Sequence, residues 1–179
     1  MNIDLRELDP EADLDLLVDW MNRPHVMEWW SHDGPPDVVG AYLRQQCALG
    51  YLTPWVASAD GVPVAYVETY RVIDDPLSAS YEFGPADLGW HVLVGPPEAL
   101  GTGIPRAIAA VVVGRLLDTT GTERVFCEPN ARNARMIRFC EHLGFRRVAT
   151  LELPDKTAAL MMCTRASFDD AVGRAAERA

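Results

Sequence analysis

No apolar run in this 179-residue sequence approaches the ~20 residues that span a bilayer, so no membrane-crossing helix is expected. The first residues, Met1-Asn2-Ile3-Asp4-Leu5-Arg6-Glu7, have neither the basic start nor the apolar stretch of a signal peptide. Export is therefore not expected, and the reading is a cytoplasmic protein. Cysteine is sparse and scattered: Cys47, Cys127, Cys140 and Cys163, no two at CxxC spacing. With no export signal, that favours four reduced thiols over two disulfides. The histidines are as dispersed, so no metal site is expected. Lysine is almost missing, with Lys156 alone, and basic charge falls on arginine. Lys and Arg number 16 against 26 Asp and Glu, a net charge of −10. Such an excess of acid excludes a partner held through nucleic-acid phosphates. It suits plain solubility first and a cationic substrate second. Internal repeats and low-complexity tracts are absent.

What is present fits one globular domain over residues 1–179, with 49% hydrophobic and 23% charged residues. Residues 3–8 alternate apolar and charged as a half-buried strand does. After Asp9-Pro10 an acidic turn leads into Leu14, Leu17, Val18 and Met21 at helical spacing. Asn22-Arg23-Pro24 ends that helix, and adjacent Trp29 and Trp30 follow. Asp37 is read as the cap of a second helix closed by Gly50. Residues 53–59 and 62–72 are β-like runs around Asp60-Gly61, a hairpin signal. Residues 73–87 read as loop and 88–94 as a short strand. Residues 103–117 read as a buried helix, 124–128 as a strand and 131–143 as an amphipathic helix with Gly144 behind it. Residues 145–153 and 158–164 form a last strand pair, and 166–178 a terminal helix. This order predicts a mixed, mostly antiparallel sheet flanked by helices with one α/β crossover, hence α+β or α/β.

The strand 88–94 runs into Glu98-Ala99-Leu100-Gly101-Thr102-Gly103-Ile104-Pro105-Arg106, which opens a helix. A helix start leaves backbone N–H groups unpaired and carries about half a positive charge. Gly101 and Gly103 let an anion approach the backbone. Pro105 suits an early helical position, where its missing N–H costs nothing. A lone GxG is also a common turn before a helix. No Gly-Lys-Ser/Thr follows, so it is not a Walker loop, and the third glycine of a dinucleotide fingerprint is missing.

Downstream stands Glu128-Pro129-Asn130-Ala131-Arg132-Asn133-Ala134-Arg135-Met136-Ile137-Arg138-Phe139-Cys140-Glu141-His142-Leu143-Gly144-Phe145. This run resembles the second cofactor-side helix of the GNAT superfamily of acyl-CoA N-acyltransferases, which an Asn starts and a Gly-Phe closes. The glycine loop then resembles that family's pyrophosphate motif, with Glu98 where Gln or Arg is usual. Cys140 stands where many members carry a proton-donating tyrosine. Trp20-Met21-Asn22-Arg23-Pro24-His25, Asp87-Leu88-Gly89-Trp90-His91 and 153–161 are similar to the siderophore-biosynthesis N-acyltransferases. Aminoglycoside 6'-N-acetyltransferases are similar at the first of these runs too, including Glu28-Trp29-Trp30, and at Pro154-Asp155, but they usually offer a carboxylate at the Trp90-His91 strand.

The resemblance implies a GNAT-like fold splayed at the cofactor site, with acetyl-CoA or another acyl-CoA as co-substrate and no metal. It implies direct acyl transfer to a small amine or hydroxylamine, chiefly N-hydroxylysine or a hydroxylated diamine. The alternative acceptor is an aminoglycoside, and a non-catalytic CoA-binding module is the non-enzyme rival. The protein would act as a monomer or homodimer, with no nucleic-acid or membrane partner. The cofactor-binding residues implied are Val92, Val94, Leu100, Gly101, Thr102, Gly103, Ile104 and Asn133. His91 is the expected base, with an ordinary pKa near ~6.5. Glu128 either acts with it or caps the following helix. Glu68 and Tyr70 share a strand face with Tyr66 that could line an acceptor pocket. Trp29, Trp30 and Trp90 complete the expected acceptor contacts.

Overall fold

The computed structural model describes residues 1–176. Its seven strands hydrogen-bond in the order β1-β2-β3-β4-β5-β7-β6, mostly antiparallel, with β4 parallel to β5. The chain divides into two compact units, Met1–Tyr70 with His91–Ile108, and Arg71–Trp90 with residues 109–176.

The first unit opens with β1 (Ile3–Glu7), antiparallel to β2 (Leu52–Ala59), which pairs in turn with β3 (Val62–Arg71). Asp60 and Gly61 join β2 and β3 at φ 48° and 81°, the double left-handed turn that matches strand twist. Helices α1 (Leu14–Met21), α2 (Pro24–Met27) and α3 (Pro36–Ala48) lie between β1 and β2 in sequence. Leu17, Trp20, Met21, Val26, Val39 and Leu43 from these helices pack with Val56, Tyr66 and Leu93 in one core. Two expectations change here. The short α2 has too few residues to show a periodic pattern. Asp37 is no cap, because α3 starts at Pro36 with Pro35 before it, and no side chain caps it. Proline tolerates the first helical turn, so that end needs less capping.

β4 (Leu88–Val94) coincides with the expected strand. It pairs with β5 (Arg124–Cys127) only at Leu88↔Val125 and Gly89↔Phe126. α4 (Ile104–Asp118) follows the glycine loop. In the second unit β7 (Thr157–Thr164) runs between β5 and β6 (Arg146–Glu152) and is buried along almost its whole length. The loop 73–87 holds two short 3₁₀ turns. α5 (Ala134–Glu141) starts three residues later than the amphipathic pattern suggests. Asn130 explains the delay: its side chain accepts from Arg132 N–H and its backbone bridges to Ala158. α6 (Arg165–Ala176) closes the described chain, and the last two residues of the expected terminal helix lie outside it.

Gly144 ends the α5 segment at φ 89°, and a β-carbon there would fall 2.2 Å from the Ser167 carbonyl oxygen. Gly144→Ala combines a left-handed backbone with a backbone clash. It is expected to cost about 2–3 kcal/mol, read by denaturant titration. An unchanged midpoint would show that α6 can shift away freely.

Candidate active site

The pleat of β3 puts Tyr66, Glu68 and Tyr70 on one face, as the alternation of the sequence suggests. All three are buried. Tyr66 Oη donates to Glu68 Oε1 at 2.8 Å, and Tyr42 Oη from α3 donates to the same oxygen at 2.5 Å. The other oxygen, Oε2, lies 2.9 Å from His91 Nδ1 on β4. Tyr70 Oη stands 3.3 Å from Nε2 of the same ring. Glu68 therefore accepts from three donors carried by three elements.

Burial alone pushes the Glu68 carboxyl up. The hydrogen bond and charge of His91, with the Tyr42 and Tyr66 hydroxyls, outweigh it and hold the group below its ordinary value. Burial and the nearby Glu68 charge push both tyrosine hydroxyls far above theirs, so they remain protonated donors. An ionised carboxylate only accepts, which places a proton on Nδ1 of His91. In the neutral ring Nε2 then keeps its lone pair and faces Tyr70. The His91 side chain is 29% exposed and that of Glu68 4%. The imidazole can be reached, and the carboxylate that orients it cannot.

Trp30 stands edge-on to Tyr66 and to His91, with ring centroids 5.8 and 6.2 Å away. Trp29 is 38% exposed and outside the core. His32 stacks on Tyr42 at 3.8 Å. The structure thus gathers His91, Glu68, Tyr70 and Trp30 from the expected residues. It adds Tyr42, which nothing in its local sequence pattern marks.

After β4 the loop keeps its glycines open. Gly101 adopts φ 78°, and a β-carbon at Gly101 or Gly103 would meet no atom within 4 Å. Gly101, Thr102 and Gly103 are exposed. Among the described residues, no acceptor takes the N–H of Gly101 or Gly103. Thr102 Oγ1 donates to Ala99 O and accepts from Ile104 N–H, which fixes the turn into α4. Exposed backbone donors at the start of a 15-residue helix fit a pyrophosphate. Val92 and Val94 are half-buried on the strand face opposite His91, and Leu100 is half-buried.

The remaining expected residues lie in the second unit. Trp90 is fully buried beside Phe145, so its ring is core and offers no surface to an acceptor. Its indole N–H has no hydrogen-bond partner. Glu128 does not cap α5. It is buried and lies 3.5 Å from the Lys156 ammonium. The cap is Asn133, whose Oδ1 accepts from Met136 N–H. Cys140, at the tyrosine position, is buried with its sulfur 3.5 Å from that of Cys127. Burial first, then Cys140, pushes the Cys127 thiol well above its ordinary range. Among the described residues no His, Cys, Asp and Glu group could hold a metal ion. No helix among them is long and apolar enough to cross a membrane.

The family model of an acetyltransferase (GNAT) domain matches residues 9–153. The chain belongs to this family. It is 30% identical over 172 residues to an Escherichia coli N(6)-hydroxylysine O-acetyltransferase, covering 96% of this chain and 55% of that protein. The chain thus spans about half the length of that relative. An N-hydroxyputrescine acetyltransferase from Acinetobacter baumannii is 29% identical, with 92% of this chain and 78% of that protein covered. Among solved structures, the aminoglycoside acetyltransferase AAC(6')-Ib in complex with coenzyme A superposes with a TM-score of 0.84. It is 28% identical, covering 94% of this chain and 98% of that one. Loop, strand and helix of this GNAT chain thus agree with the fold the sequence implies.

Proposed function

We propose that this GNAT chain transfers an acyl group from acyl-CoA to a hydroxylated amine, N-hydroxylysine or a hydroxylated diamine, in siderophore assembly. The observation that carries the reading is the contrast between a reachable His91 and an enclosed, fully engaged Glu68. A hydroxylamine nitrogen is less basic than an alkylamine because its oxygen withdraws electrons. It arrives neutral near pH 7 and needs only an imidazole to take its proton. An alkylammonium must first shed a proton to attack and is bound best by an exposed carboxylate, and Glu68 is closed to it. Two relatives named for hydroxylated amines support this acceptor class.

Bound acyl-CoA supplies an activated thioester. Val92, Val94, Leu100, Gly101, Thr102, Gly103 and Ile104 would hold it, and the family motif adds Asn133. Nε2 of His91 takes the proton that the acceptor nitrogen loses as its bond to the acyl carbon forms and the carbon–sulfur bond of the thioester breaks, the sulfur leaving on CoA as a thiolate that takes a proton from solvent. Glu68 keeps the proton on Nδ1 and stabilises the imidazolium that results. Trp30 walls the acceptor side. Glu128 is assigned to the reaction on the resemblance alone, and Lys156 neutralises it. No covalent acyl-enzyme is required.

The solved aminoglycoside enzyme, matched over nearly the whole of both chains, supports a second reading with an aminoglycoside acceptor. Thiol release from acetyl-CoA, measured across N-hydroxylysine, N-hydroxycadaverine, kanamycin and tobramycin, separates the two. The hydroxylated amines should lead by at least about tenfold in kcat/KM, a difference of about 1.4 kcal/mol. Release with kanamycin or tobramycin alone would reverse the assignment. CoA binding without release from any acceptor would leave a binding module.

A further inference from the structure

The segment Trp20 to His25, which the proposed reaction does not use, meets the far end of β4. Arg23 Nη1 donates to Gly95 O at 3.0 Å, and its other nitrogen is held by Asp19 at 2.6 Å. His25 Nε2 lies 2.9 Å from Val94 O, so this nitrogen carries a proton and donates. The Trp20 ring lies flush against Gly95, where a β-carbon would stand 2.1 Å from it. On the other side Gly95 N–H donates to Val64 O at 2.9 Å. The last carbonyl of β4 and that of Gly95 just beyond it are thus taken by an imidazole and a cationic side chain. The glycine loop begins immediately beyond them.

The residues just after this segment reach the other end of that half-strand. Trp30 N–H donates to Val26 O, the last turn of α2, at 2.8 Å, and its ring meets His91 edge-on. Residues 20–30 therefore touch His91 at one end and Val94-Gly95 at the other, three to four residues apart along the chain.

We infer that Arg23 and His25 are positioning residues that fix the root of the pyrophosphate loop and its register relative to His91. This rests on the acyl-CoA part of the proposed function and not on the choice of acceptor. Pro96 and Pro97 stiffen the two residues after the anchored carbonyls, so displacement at Val94 or Gly95 carries into Ala99–Gly103. Loss of these donors leaves two strand-end carbonyls without their partners and frees the loop to sample other positions. Pre-organised backbone donors bind an anion better than mobile ones because less ordering is lost on binding.

The test is calorimetric titration with CoA alone, with no acceptor present, on wild type, His25→Ala, His25→Gln, Arg23→Gln and Arg44→Ala. Arg44 pairs with Glu11 on the exposed face of α3 and serves as the control. His25→Ala and Arg23→Gln are expected to weaken CoA binding about tenfold, and His25→Gln, which keeps a side-chain N–H, to regain most of it. Arg44→Ala should bind as wild type does. Amide hydrogen exchange of the unliganded proteins supplies a second readout. Exchange at Gly101–Gly103 should accelerate in His25→Ala while exchange in β2 and β3 stays unchanged. CoA affinity within twofold of wild type in folded His25→Ala and Arg23→Gln would overturn the inference. So would equal losses in His25→Ala and His25→Gln. If His25→Ala fails to fold, Arg23→Gln and His25→Gln decide it. Failure of every acceptor in the thiol-release panel would leave this result standing.

Discussion

His91→Ala is expected to lower kcat/KM by about 10²–10⁴-fold, the range for a positioned proton acceptor, while leaving CoA affinity within twofold. The two halves of this expectation rest on different contacts. The imidazole meets Glu68, Tyr70 and Trp30. The donors offered to the pyrophosphate stand at Gly101 and Gly103, ten or more residues along the chain. Removing the ring therefore removes the proton acceptor and leaves the anion site intact. The pH dependence should change with it: wild-type kcat/KM rises as the imidazole loses its proton, and the variant lacks that limb. Some stability should go too, because Glu68 stays buried and loses one of its three donors. The Tm must therefore be measured beside the rates. Turnover equal to wild type would remove His91 from the mechanism, and a loss of CoA affinity matching the loss of turnover would make it structural.

Periodic signals carried most of the fold. The Asp60-Gly61 hairpin, β4 and the two helices behind the glycine loop all show in the sequence because local chemistry decides them. The departures come from places where local chemistry competes. α3 begins at a proline, and Asn130 holds three residues out of α5. The site is legible in part for the same reason. Alternation along β3 groups Tyr66, Glu68 and Tyr70, but it does not tell whether a carboxylate faces a ligand or a neighbour. Glu68 reads from sequence as a contact for a cationic acceptor. In the structure it spends both oxygens on Tyr42, Tyr66 and His91. Tyr42 joins it across 26 residues of sequence, a distance no local pattern spans. Trp90 shows the converse: a tryptophan next to the base reads as pocket wall, yet it points to the other face and is fully buried.

The second large effect is expected at Glu68, from a change that keeps its shape. Glu68→Gln preserves an oxygen for the Tyr42 and Tyr66 hydroxyls. Its amide nitrogen must then face Nδ1 of His91, and two donors cannot bond each other. The ring resolves the conflict by moving its proton to Nε2, which removes the lone pair the reaction needs. Replacing an imidazole-orienting carboxylate by its amide costs about 10³–10⁴-fold in turnover where that tautomer results. Glu68→Gln should thus fall nearly as far as His91→Ala, and the double variant little further, since both losses remove one function. Stability gives an independent check. The folded pKa of Glu68 lies below its ordinary value, so the unfolded chain binds the extra proton. The wild type's advantage over Glu68→Gln is therefore fully present above the unfolded carboxylate pKa of about 4.3 and shrinks as pH falls through the folded value. Denaturation at pH 7 and pH 3 measures that difference. Turnover of Glu68→Gln within tenfold of wild type would detach the carboxylate from the chemistry, leaving its three hydrogen bonds as a matter of folding alone.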